Sequence, residues 1–379
     1  MIRRIGILTT GRQDWGILRS TARFFAEDAA FTPVIFAGGM ACSPDHGRVV
    51  DTLRGEGFPI AAELPWPVSG IGAADEAAAA LSAIAGALAA HPVEALVLVG
   101  DRYETLAAAL AATLARVPIV HLHGGEESEG ALDNSFRHAL TKLAHLHLVS
   151  HPVHAKRVIA LGEDPATVHV VGAPGLDNLH RPDLADRAEL ESFLGQRLSS
   201  PLVVVTLQPA TLAAEPLAEV EAMLSAMAAV EATYVVTLPN SDPGGDVLRK
   251  RLVEWAVGPG KLAVSALGER RYWGLLRLSD AVLGNSSSAL IEAPALLLPA
   301  VNIGDRQKGR LCGRTVIHAE ATARSVTEAL RRALDPAFRS SLRPEDALFG
   351  DGRAATRIGA VLRATTFPNP PVKRGVSVP

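Results

Sequence analysis

Gly100-Asp-Arg-Tyr-Glu104 and His121-Leu-His-Gly-Gly-Glu-Glu127 are the two stretches that decide the fold. Each lies at the end of a short apolar run, 95–99 for the first and 118–122 for the second. Apolar runs of this length that stop at glycine and charged residues indicate buried strands and their carboxyl ends. In an open parallel sheet, ligands bind in the crevice at those ends. The two stretches therefore predict an α/β fold with polar side chains gathered at a ligand crevice.

Strand-like and helical segments alternate through the whole chain, which is typical of parallel βαβ units. The first set of predicted strands covers 4–8, 33–37, 95–99, 118–122, 146–149 and 169–171, and the second covers 202–206, 233–238, 262–264, 281–283, 300–303 and 315–317. A segment rich in turn residues, 172–183, separates the two sets. We expect two Rossmann-like domains, 1–175 and 184–347, with a cleft between them. The proline-rich tail over 365–379 has little to bury and is expected to be disordered.

Composition narrows the class of protein. The chain has 379 residues, is 48% hydrophobic and carries a formal net charge of −3, which argues against general attraction to nucleic acid. Its two cysteines, Cys42 and Cys312, are far apart and indicate neither a disulfide framework nor a zinc site. The N-terminal apolar run is too short for a signal peptide. The Ala-rich stretch 77–90 is shorter than the roughly 20 residues that span a bilayer. These features predict a cytoplasmic protein that does not bind membranes.

Acids are concentrated at the predicted crevice of the first half. They are Asp101, Glu104, Glu126 and Glu127, and the next helical segment adds Asp133, Arg137 and His138. Any one of them could simply belong to a solvated loop, because loop acids are common. The whole set is more typical of a site that performs acid or base chemistry.

The end of the first predicted strand is a second candidate. There Gly11 permits a tight turn, Arg12 carries a permanent charge suited to phosphate, and a helix follows. The Gly-x-Gly-x-x-Gly dinucleotide pattern is absent. A plain strand-to-helix turn remains an equally good interpretation.

The second half carries a better phosphate site, Gly284-Asn-Ser-Ser-Ser288, between a predicted strand and a predicted helix. Small polar residues at a helix start offer backbone N–H groups and hydroxyls, and the helix dipole favours an anion there. A single serine would be explained as an N-cap. Glu292, one turn further on, could accept hydrogen bonds from a ribose, and a cationic loop follows with Arg306, Lys308 and Arg310. Acids in one half and phosphate ligands in the other suit a nucleotide-sugar.

Histidines are frequent near the crevice, but they do not predict a metal site. His121 and His123 alternate on a strand and should point to the same side, and further histidines follow at 138, 145, 147, 151 and 154. No three of them have a recognised metal-ligand spacing. We therefore expect no bound metal.

Five motifs occur in an order that resembles a known family: Gly100-Asp-Arg-Tyr-Glu104, Ile119-Val-His-Leu-His-Gly-Gly-Glu126, Leu132-Asp-Asn-Ser-Phe-Arg-His138, Gly284-Asn-Ser-Ser-Ser288 and Asn302-Ile-Gly-Asp-Arg-Gln307. Over roughly 3–363 the chain resembles the hydrolysing UDP-N-acetylglucosamine 2-epimerases of bacterial sialic and legionaminic acid synthesis. The resemblance implies the two-domain GT-B architecture, a helix over 351–364 that returns to the first domain, and no metal or NAD cofactor. It also implies a reaction in which the C2 proton is removed, UDP leaves from C1, and water adds to the glycal to give free N-acetylmannosamine.

The resemblance also implies roles for individual residues. Catalytic roles fall on five residues: Asp101 and Asp133 as acid or base, with Glu126, His123 and Gln208. Substrate contacts fall on Arg12, Arg102, His138, Asn285, Ser286, Ser287, Ser288, Glu292, Arg306 and Gln307. Which carboxylate is the acid and which the base stays open.

This chain departs from the family pattern at two of these catalytic positions. Many relatives carry Glu in place of His123 and His in place of Gln208. Gln208 cannot transfer a proton at neutral pH, so His123 is a candidate for the titratable group.

Alternatives remain for the function. The substrate could be UDP-N,N′-diacetylbacillosamine instead of UDP-N-acetylglucosamine. A GT-B glycosyltransferase would have less use for a base directed at C2, and a catalytically silent nucleotide-sugar sensor would fit Gln208. The relatives suggest a homodimer or larger homo-oligomer.

Overall fold

The computed structural model describes residues 2–68, 71–128, 132–209, 217–239, 245–265 and 267–373. Within these residues the chain forms two compact units. The N-terminal unit contains the described residues of 1–126, 133–177 and 350–379, and the C-terminal unit contains those of 127–132 and 178–349. Each unit is built on one parallel sheet. The predicted α/β class with two Rossmann-like sheets is confirmed.

The sheet of the N-terminal unit has seven strands in the spatial order β3-β2-β1-β4-β5-β6-β7, and all neighbours are parallel. The strands are β1 (Arg3–Thr9), β2 (Phe31–Gly38), β3 (Ile60–Leu64), β4 (Ala95–Val99), β5 (Ile119–Leu122), β6 (Leu146–Val149) and β7 (Val168–Val170). The helices are α1 (Arg12–Glu27), α2 (Val49–Gly55), α3 (Ala73–Ala90), α4 (Tyr103–Leu114), α5 (Asp133–Leu143) and α6 (Pro152–Ala160). The strand order reverses between β1 and β4. That reversal is the switch point where ligands bind in open α/β sheets.

The sheet of the C-terminal unit has six strands in the order β10-β9-β8-β11-β12-β13, again all parallel. The strands are β8 (Leu202–Thr206), β9 (Thr233–Thr237), β10 (Lys261–Val264), β11 (Ala281–Gly284), β12 (Ala300–Ile303) and β13 (Val316–Ala319). The helices are α7 (Arg187–Leu194), α8 (Ala218–Ala229), α9 (Gly245–Trp255), α10 (Gly268–Leu278), α11 (Glu292–Ala295), α12 (Ala323–Ala333) and α13 (Pro336–Ser341). Its switch point lies between β8 and β11.

Both faces of each sheet are buried, which explains the continuous apolar runs in the sequence. In β4, Ala95 and Val97 belong to the core on one face, and Leu96 and Leu98 belong to the core on the other. All four side chains have no exposed surface. Because neither face of β4 contacts water, its sequence does not alternate between apolar and polar residues. The strand ends at Val99, directly before Gly100 and the first residues of the candidate site.

All twelve predicted strands are present, with their ends at most two residues from the predicted positions, but β3 was not predicted. In the part of the chain that the structure describes, this strand pairs with β2 alone and lies at the edge of the sheet. Its sequence Ile-Ala-Ala-Glu-Leu contains three residues of low strand propensity, and its side chains are half-buried or exposed. Its own composition does not favour a strand, so we attribute its strand conformation to pairing with β2.

Helix α3 has the length and mean hydropathy of a membrane-spanning helix, by composition alone. Its buried residues include Ala80, Ile84, Ala87 and Leu88, which pack in the core between the helix and the sheet. Glu76 in its first turn is also buried and bonds to Tyr103 and Trp66. These contacts are those of a core helix in an α/β unit.

The C-terminal segment of the chain belongs to the N-terminal unit. Helix α14 (Ala354–Ala364) packs against α1, where a Cβ on Gly359 would lie 2.1 Å from the Phe24 ring. The Asp177 carboxylate accepts hydrogen bonds from the backbone N–H groups of Ala354 and Ala355 at 2.7 and 2.8 Å. Within the predicted tail, Phe367 packs against the core and Lys373 donates to Glu163. Residues 374–379 lie outside the described part of the chain.

Candidate active site

Asp101 lies at the switch point of the N-terminal unit, one residue after Gly100, whose φ of +82° suits glycine. Its carboxylate pairs with the guanidinium of Arg137 from α5. The Arg137 side chain is 1% exposed and also donates to the Glu126 carbonyl at 2.9 Å and to Asn134 Oδ1 at 2.6 Å. Arg137 therefore fixes the orientation of Asp101 and ties three segments of the crevice together.

His123 and Glu126 form a second pair beside this one. His123 Nδ1 lies 2.7 Å from Glu126 Oε1, and both side chains are less than 10% exposed. The backbone of His123 is left-handed, with a φ of +64°, which costs on the order of 1–3 kcal/mol for a residue other than glycine. Among the described residues, no group hydrogen-bonds to His123 Nε2. This nitrogen is buried and keeps an unused hydrogen-bonding position.

His121 has a different role, although it is only two residues away. Its Nε2 lies 2.9 Å from the Gly100 carbonyl, and the ring is completely buried. Burial lowers the pKa of His121 to about 4, so the ring is neutral at pH 7 and donates this hydrogen bond. Strand β5 ends at Leu122, so the rule that alternate side chains share a side does not extend to His123. His121 stabilises the turn that carries Asp101.

The next residues along α4 form their own charged pair. Arg102 donates to Glu104 at 2.9 Å, and the Glu104 side chain is 1% exposed. The Tyr103 hydroxyl donates to Glu76 at 2.7 Å, and burial raises the pKa of Glu76. The positive charge of Arg102 thus neutralises the buried negative charge of Glu104 at the start of α4.

Arg12 is exposed at the first position of α1, next to a buried acid that the sequence analysis did not single out. Asp14 accepts hydrogen bonds from the backbone N–H of Thr10 at 2.8 Å and from its hydroxyl at 2.5 Å. Burial raises the pKa of Asp14 to about 6, in spite of these bonds and of the nearby Arg102. The sequence did contain a signal for Asp14: it is an acid in the first turn of α1, the helix that follows the switch-point strand β1.

Asp133 is the first residue of α5, and it lies four residues before Arg137 on the same helix. Positions i and i+4 of a helix share a face. The side chains of Asp133 and His138 are half-buried. Helix α5 therefore presents Asp133 on the face that carries the ion pair with Asp101. Residues 129–131, just before this helix, lie outside the described residues.

In the C-terminal unit, Asn285 connects the two strands of the switch point. Its Oδ1 accepts from the Gln208 N–H at 2.7 Å, and its Nδ2 donates to the Gln208 carbonyl at 2.8 Å and to Glu219 at 2.6 Å. Asn285 is completely buried. Its side chain is committed to these internal bonds, which position the half-buried Gln208 at the end of β8.

The serine segment forms a tighter structure than the predicted helix start. Ser287–Ala289 is one 3-10 turn, and α11 has only four residues, so the prediction of a helix N-terminus with its dipole was wrong. Helix α11 ends at Ala295, and the backbone of Leu297, two residues later, is left-handed with a φ of +50°. Ser286 and Ser287 are half-buried, whereas Ser288 is buried and lies 2.5 Å from the Tyr272 hydroxyl.

Tyr272, on α10, is a further residue that sequence reasoning missed. Burial raises its pKa to about 12, so its hydroxyl stays protonated, and Glu292 lies close enough to add to this effect. No local pattern marks Tyr272, because its contact with Ser288 joins positions 16 residues apart.

The predicted cationic loop also turns toward this segment. Arg306 Nη1 donates to the Asn285 carbonyl at 3.2 Å, and Gln307 Nε2 donates to the same oxygen at 2.7 Å. Gln307 is 4% exposed and Lys308 is exposed. Arg310 instead donates to the Ser128 hydroxyl. Of the three predicted cations, Arg306 is the one that this loop brings to the serine segment.

No group of three or more His, Cys, Asp or Glu side chains within the described ranges is arranged to hold a metal ion. Most of the histidines near the crevice instead have carboxylate, hydroxyl or backbone partners. His147 Nε2, for example, lies 3.0 Å from Glu163.

Comparison with known proteins identifies the relatives of this chain. Residues 24–363 match the family model described as UDP-N-acetylglucosamine 2-epimerase. The chain is 31% identical to the GDP/UDP-N,N'-diacetylbacillosamine 2-epimerase (hydrolyzing) of Campylobacter jejuni, covering 84% of each chain, and 30% identical to the UDP-N,N'-diacetylbacillosamine 2-epimerase (hydrolyzing) of Legionella pneumophila, covering 96% of each. The crystal structure of the UDP-GlcNAc 2-epimerase of Neisseria meningitidis bound to UDP-GlcNAc superimposes with a TM-score of 0.82 at 13% identity, covering 96% of this chain and 100% of that one. The chain belongs to the UDP-N-acetylglucosamine 2-epimerase family, among its hydrolysing members.

Proposed function

We propose that this protein hydrolyses a UDP-2-acetamido sugar with inversion at C2, releasing UDP and a free manno-configured sugar. The observation that carries the proposal is the crevice of the N-terminal unit, where Asp101 is oriented by the buried Arg137 and where His123, paired with Glu126, has a ring nitrogen with no hydrogen-bond partner among the described residues. A carboxylate and an imidazole are the groups that proteins use for proton transfer near neutral pH.

The stereochemistry defines what these groups have to do. In the first half-reaction a base removes the proton from C2 while the C1–O bond to UDP breaks, which gives the 2-acetamidoglucal. In the second, water adds at C1 and a proton returns to C2 on the opposite face. Inversion therefore needs acid/base groups on both faces of the sugar ring. We assign these roles to Asp101, Asp133 and His123, with Glu126 orienting His123 and Gln208 acting as a hydrogen-bonding group.

The leaving group sets the second requirement. A departing diphosphate develops negative charge, which preorganised donors and cations stabilise in the transition state. In the C-terminal unit, the half-buried Ser286 and Ser287 and the guanidinium of Arg306 meet this need, and Glu292 is proposed to accept from the ribose. We propose contacts to the substrate also from Arg12, Arg102, His138, Ser288 and Gln307. The internal bonds of Asn285 favour a supporting role for that residue.

We propose UDP-N,N′-diacetylbacillosamine as the sugar nucleotide and UDP-N-acetylglucosamine as the weaker substrate. The names of the Campylobacter and Legionella relatives support this order. The two sugars differ in their C4 and C6 substituents, and an apolar pocket separates substrates by about 10- to 200-fold for a single methylene-sized difference. A kcat/KM ratio in that range, in favour of the diacetylated sugar, is the expected result.

The test is turnover of both UDP-sugars in D₂O, followed by mass spectrometry of the released sugar. Elimination and hydration predict free UDP and one deuterium at C2 of a manno-configured product. A product that retains its original C2 hydrogen would refute the elimination route. A glycoside would identify a glycosyltransferase, and binding without turnover would identify a nucleotide-sugar sensor.

A further inference from the structure

Glu219, in the first turn of α8, is a buried acid to which the proposed mechanism gives no role. The residue is only 7% exposed. Its carboxylate oxygen Oε2 accepts a hydrogen bond from Asn285 Nδ2 at 2.6 Å. Glu219 therefore links α8 directly to the first residue after β11, inside the C-terminal unit.

The side-chain amide of Asn285 requires an acceptor at this place. Its Oδ1 accepts from the Gln208 N–H at 2.7 Å, and its Nδ2 donates to the Gln208 carbonyl at 2.8 Å. An amide nitrogen carries two hydrogens, so the second one is donated to Glu219. Asn285 has no exposed surface. Removing the carboxylate would take away the acceptor of a buried donor, which favours rotation of the amide out of its present position.

The backbone of Asn285 holds the phosphate ligands that were assigned above. Its carbonyl oxygen accepts from Arg306 Nη1 at 3.2 Å and from Gln307 Nε2 at 2.7 Å. The residue that follows Asn285 is Ser286, the first serine of the segment 284–288. A shift of Asn285 therefore displaces both this serine and the acceptor that holds Arg306.

Glu219 also contacts the start of the loop that carries Arg306. Gly304, directly after β12, has a φ of +68°, and a Cβ at this position would lie 2.2 Å from Glu219 Oε1. Because glycine has no side chain, the loop packs directly on the carboxylate. Burial raises the pKa of Glu219, while the charge of Arg306 lowers it and that of Asp305 raises it. The carboxylate thus contacts the residues after two strands, Asn285 after β11 and Gly304 after β12.

We infer that Glu219 is a positioning residue of the UDP site, which holds Asn285 and through it places Ser286 and Arg306 for the diphosphate. The inference rests on the proposed function, in which these two side chains stabilise the diphosphate. Donors that are already in place bind an anion more tightly, because binding then requires no rearrangement. Glu219 acts only through its neighbours, since its carboxylate would repel the diphosphate.

Calorimetry with UDP measures this role, and urea unfolding of the same samples measures stability. We expect Glu219→Ala to raise the Kd for UDP at least about tenfold, because the Asn285 amide loses its acceptor. Glu219→Gln keeps an acceptor oxygen for Asn285 and should hold the Kd within about threefold of the wild type. If the alanine variant does not fold, Glu219→Met takes its place, because methionine keeps the volume of the side chain and removes the carboxylate.

Asp280→Ala is the matched control, because Asp280 joins the same two strands at their opposite ends. Its Oδ2 accepts from the Leu202 N–H at 2.8 Å and from the Ser200 hydroxyl at 2.7 Å. Asp280 lies directly before β11, and Leu202 is the first residue of β8. This variant should lower the free energy of unfolding and leave the Kd for UDP within about twofold of the wild type.

Gly304→Ala perturbs the same carboxylate from the side of the loop. Its Cβ would displace Glu219 Oε1, so this variant should also raise the Kd for UDP. In the Glu219→Ala background the carboxylate is absent, and Gly304→Ala should cause a smaller increase because the two changes remove one contact. Equal increases in both backgrounds would contradict the inference, because the effect of Gly304 would then be independent of the carboxylate.

The wild type decides which proposal an unexpected result concerns. If the wild type binds UDP and Glu219→Ala binds it equally well, the inference is overturned and the proposed function stands. A Kd that rises as much in Glu219→Gln as in Glu219→Ala would also overturn it, since the charge and not the acceptor would then matter. If the wild type binds no UDP, the proposed function fails and the inference fails with it.

Discussion

Replacing Asp101 with Asn separates a catalytic role from a structural one. The substitution keeps the size of the side chain and removes the carboxylate that would act as base. It also removes the negative charge beside Arg137, whose side chain is 1% exposed. Both activity and stability should therefore fall. Comparing the loss in kcat with the loss in the free energy of unfolding shows which effect dominates.

The stability cost is limited by the contacts that Arg137 keeps. The amide oxygen of the substituted side chain can still accept from the guanidinium, and the bonds to the Glu126 carbonyl and Asn134 remain. Exchanging a charge-assisted bond for a neutral one costs about 2 kcal/mol. This is below the ~3–5 kcal/mol for removing one partner of a buried pair outright. A protein with a stability of about 5 kcal/mol or more stays almost fully folded after such a loss.

Loss of a general acid or base, by contrast, costs about 10²- to 10⁴-fold in rate. Urea unfolding measures the first effect and kcat on the UDP-sugar measures the second. Glu163→Gln is the matched control, because Glu163 is buried against Lys142 and His147 in the same unit, near the amino end of β6. That variant should lose comparable stability while keeping kcat within about twofold. The reasoning is refuted if Asp101→Asn keeps more than a tenth of wild-type kcat, or if it is unfolded at the assay temperature.

Three further predictions address other parts of the molecule. Replacing Ser286 and Ser287 together with Leu should abolish UDP binding in calorimetry, and unchanged affinity would exclude the serine segment as the diphosphate site. Burial lowers the pKa of His121 from 6.5 to about 4, so the unfolded chain binds more protons in this range and stability falls by about 3 kcal/mol as the pH drops from 6.5 to 4. His121→Gln keeps a donor and should lose correspondingly less in urea unfolding across that range; an identical pH dependence would contradict this. Gly125→Ala should destabilise the protein by several kcal/mol, on the order of a strained backbone plus a steric clash, because its Cβ would meet the His154 carbonyl at 2.4 Å; a wild-type unfolding midpoint would show that α6 can move away.

The sheets and their switch points could be predicted because their signal is local. A parallel strand buried on both faces reads as a continuous apolar run, and the polar residues that follow it mark its carboxyl end. Asp101 and the serine segment were placed at switch points in this way. Strand β3 was missed because its half-exposed, alanine-rich sequence depends on pairing with β2.

The interior of the candidate site could be predicted only in part, because its contacts join distant positions. Asn285 was read as a substrate contact from its place in a polar motif, yet its side chain bonds to Gln208 and Glu219 across the sheet. The serine motif was read as the start of a helix, but the structure ends that helix after four residues. In each case the residue type indicated the chemistry. The hydrogen-bond partners could not be predicted, because they depend on which strands are neighbours in the sheet.

The resemblance places His123 where many relatives carry Glu, and the partners of this histidine matter for the proposed mechanism. A glutamate can act as a base with little help, whereas an imidazole needs a fixed tautomer to present the correct nitrogen. Here Glu126 bonds to Nδ1 of His123, and Ser150 bonds to the same carboxylate oxygen. The chain therefore contains both the histidine that we propose as a catalytic residue and the contacts that would fix its tautomer. Ser150 lies 24 positions from Glu126 in the sequence and reaches it because β6 is the neighbour of β5. These hydrogen bonds support the proposal that His123 acts as an altered catalytic group and that the protein is active.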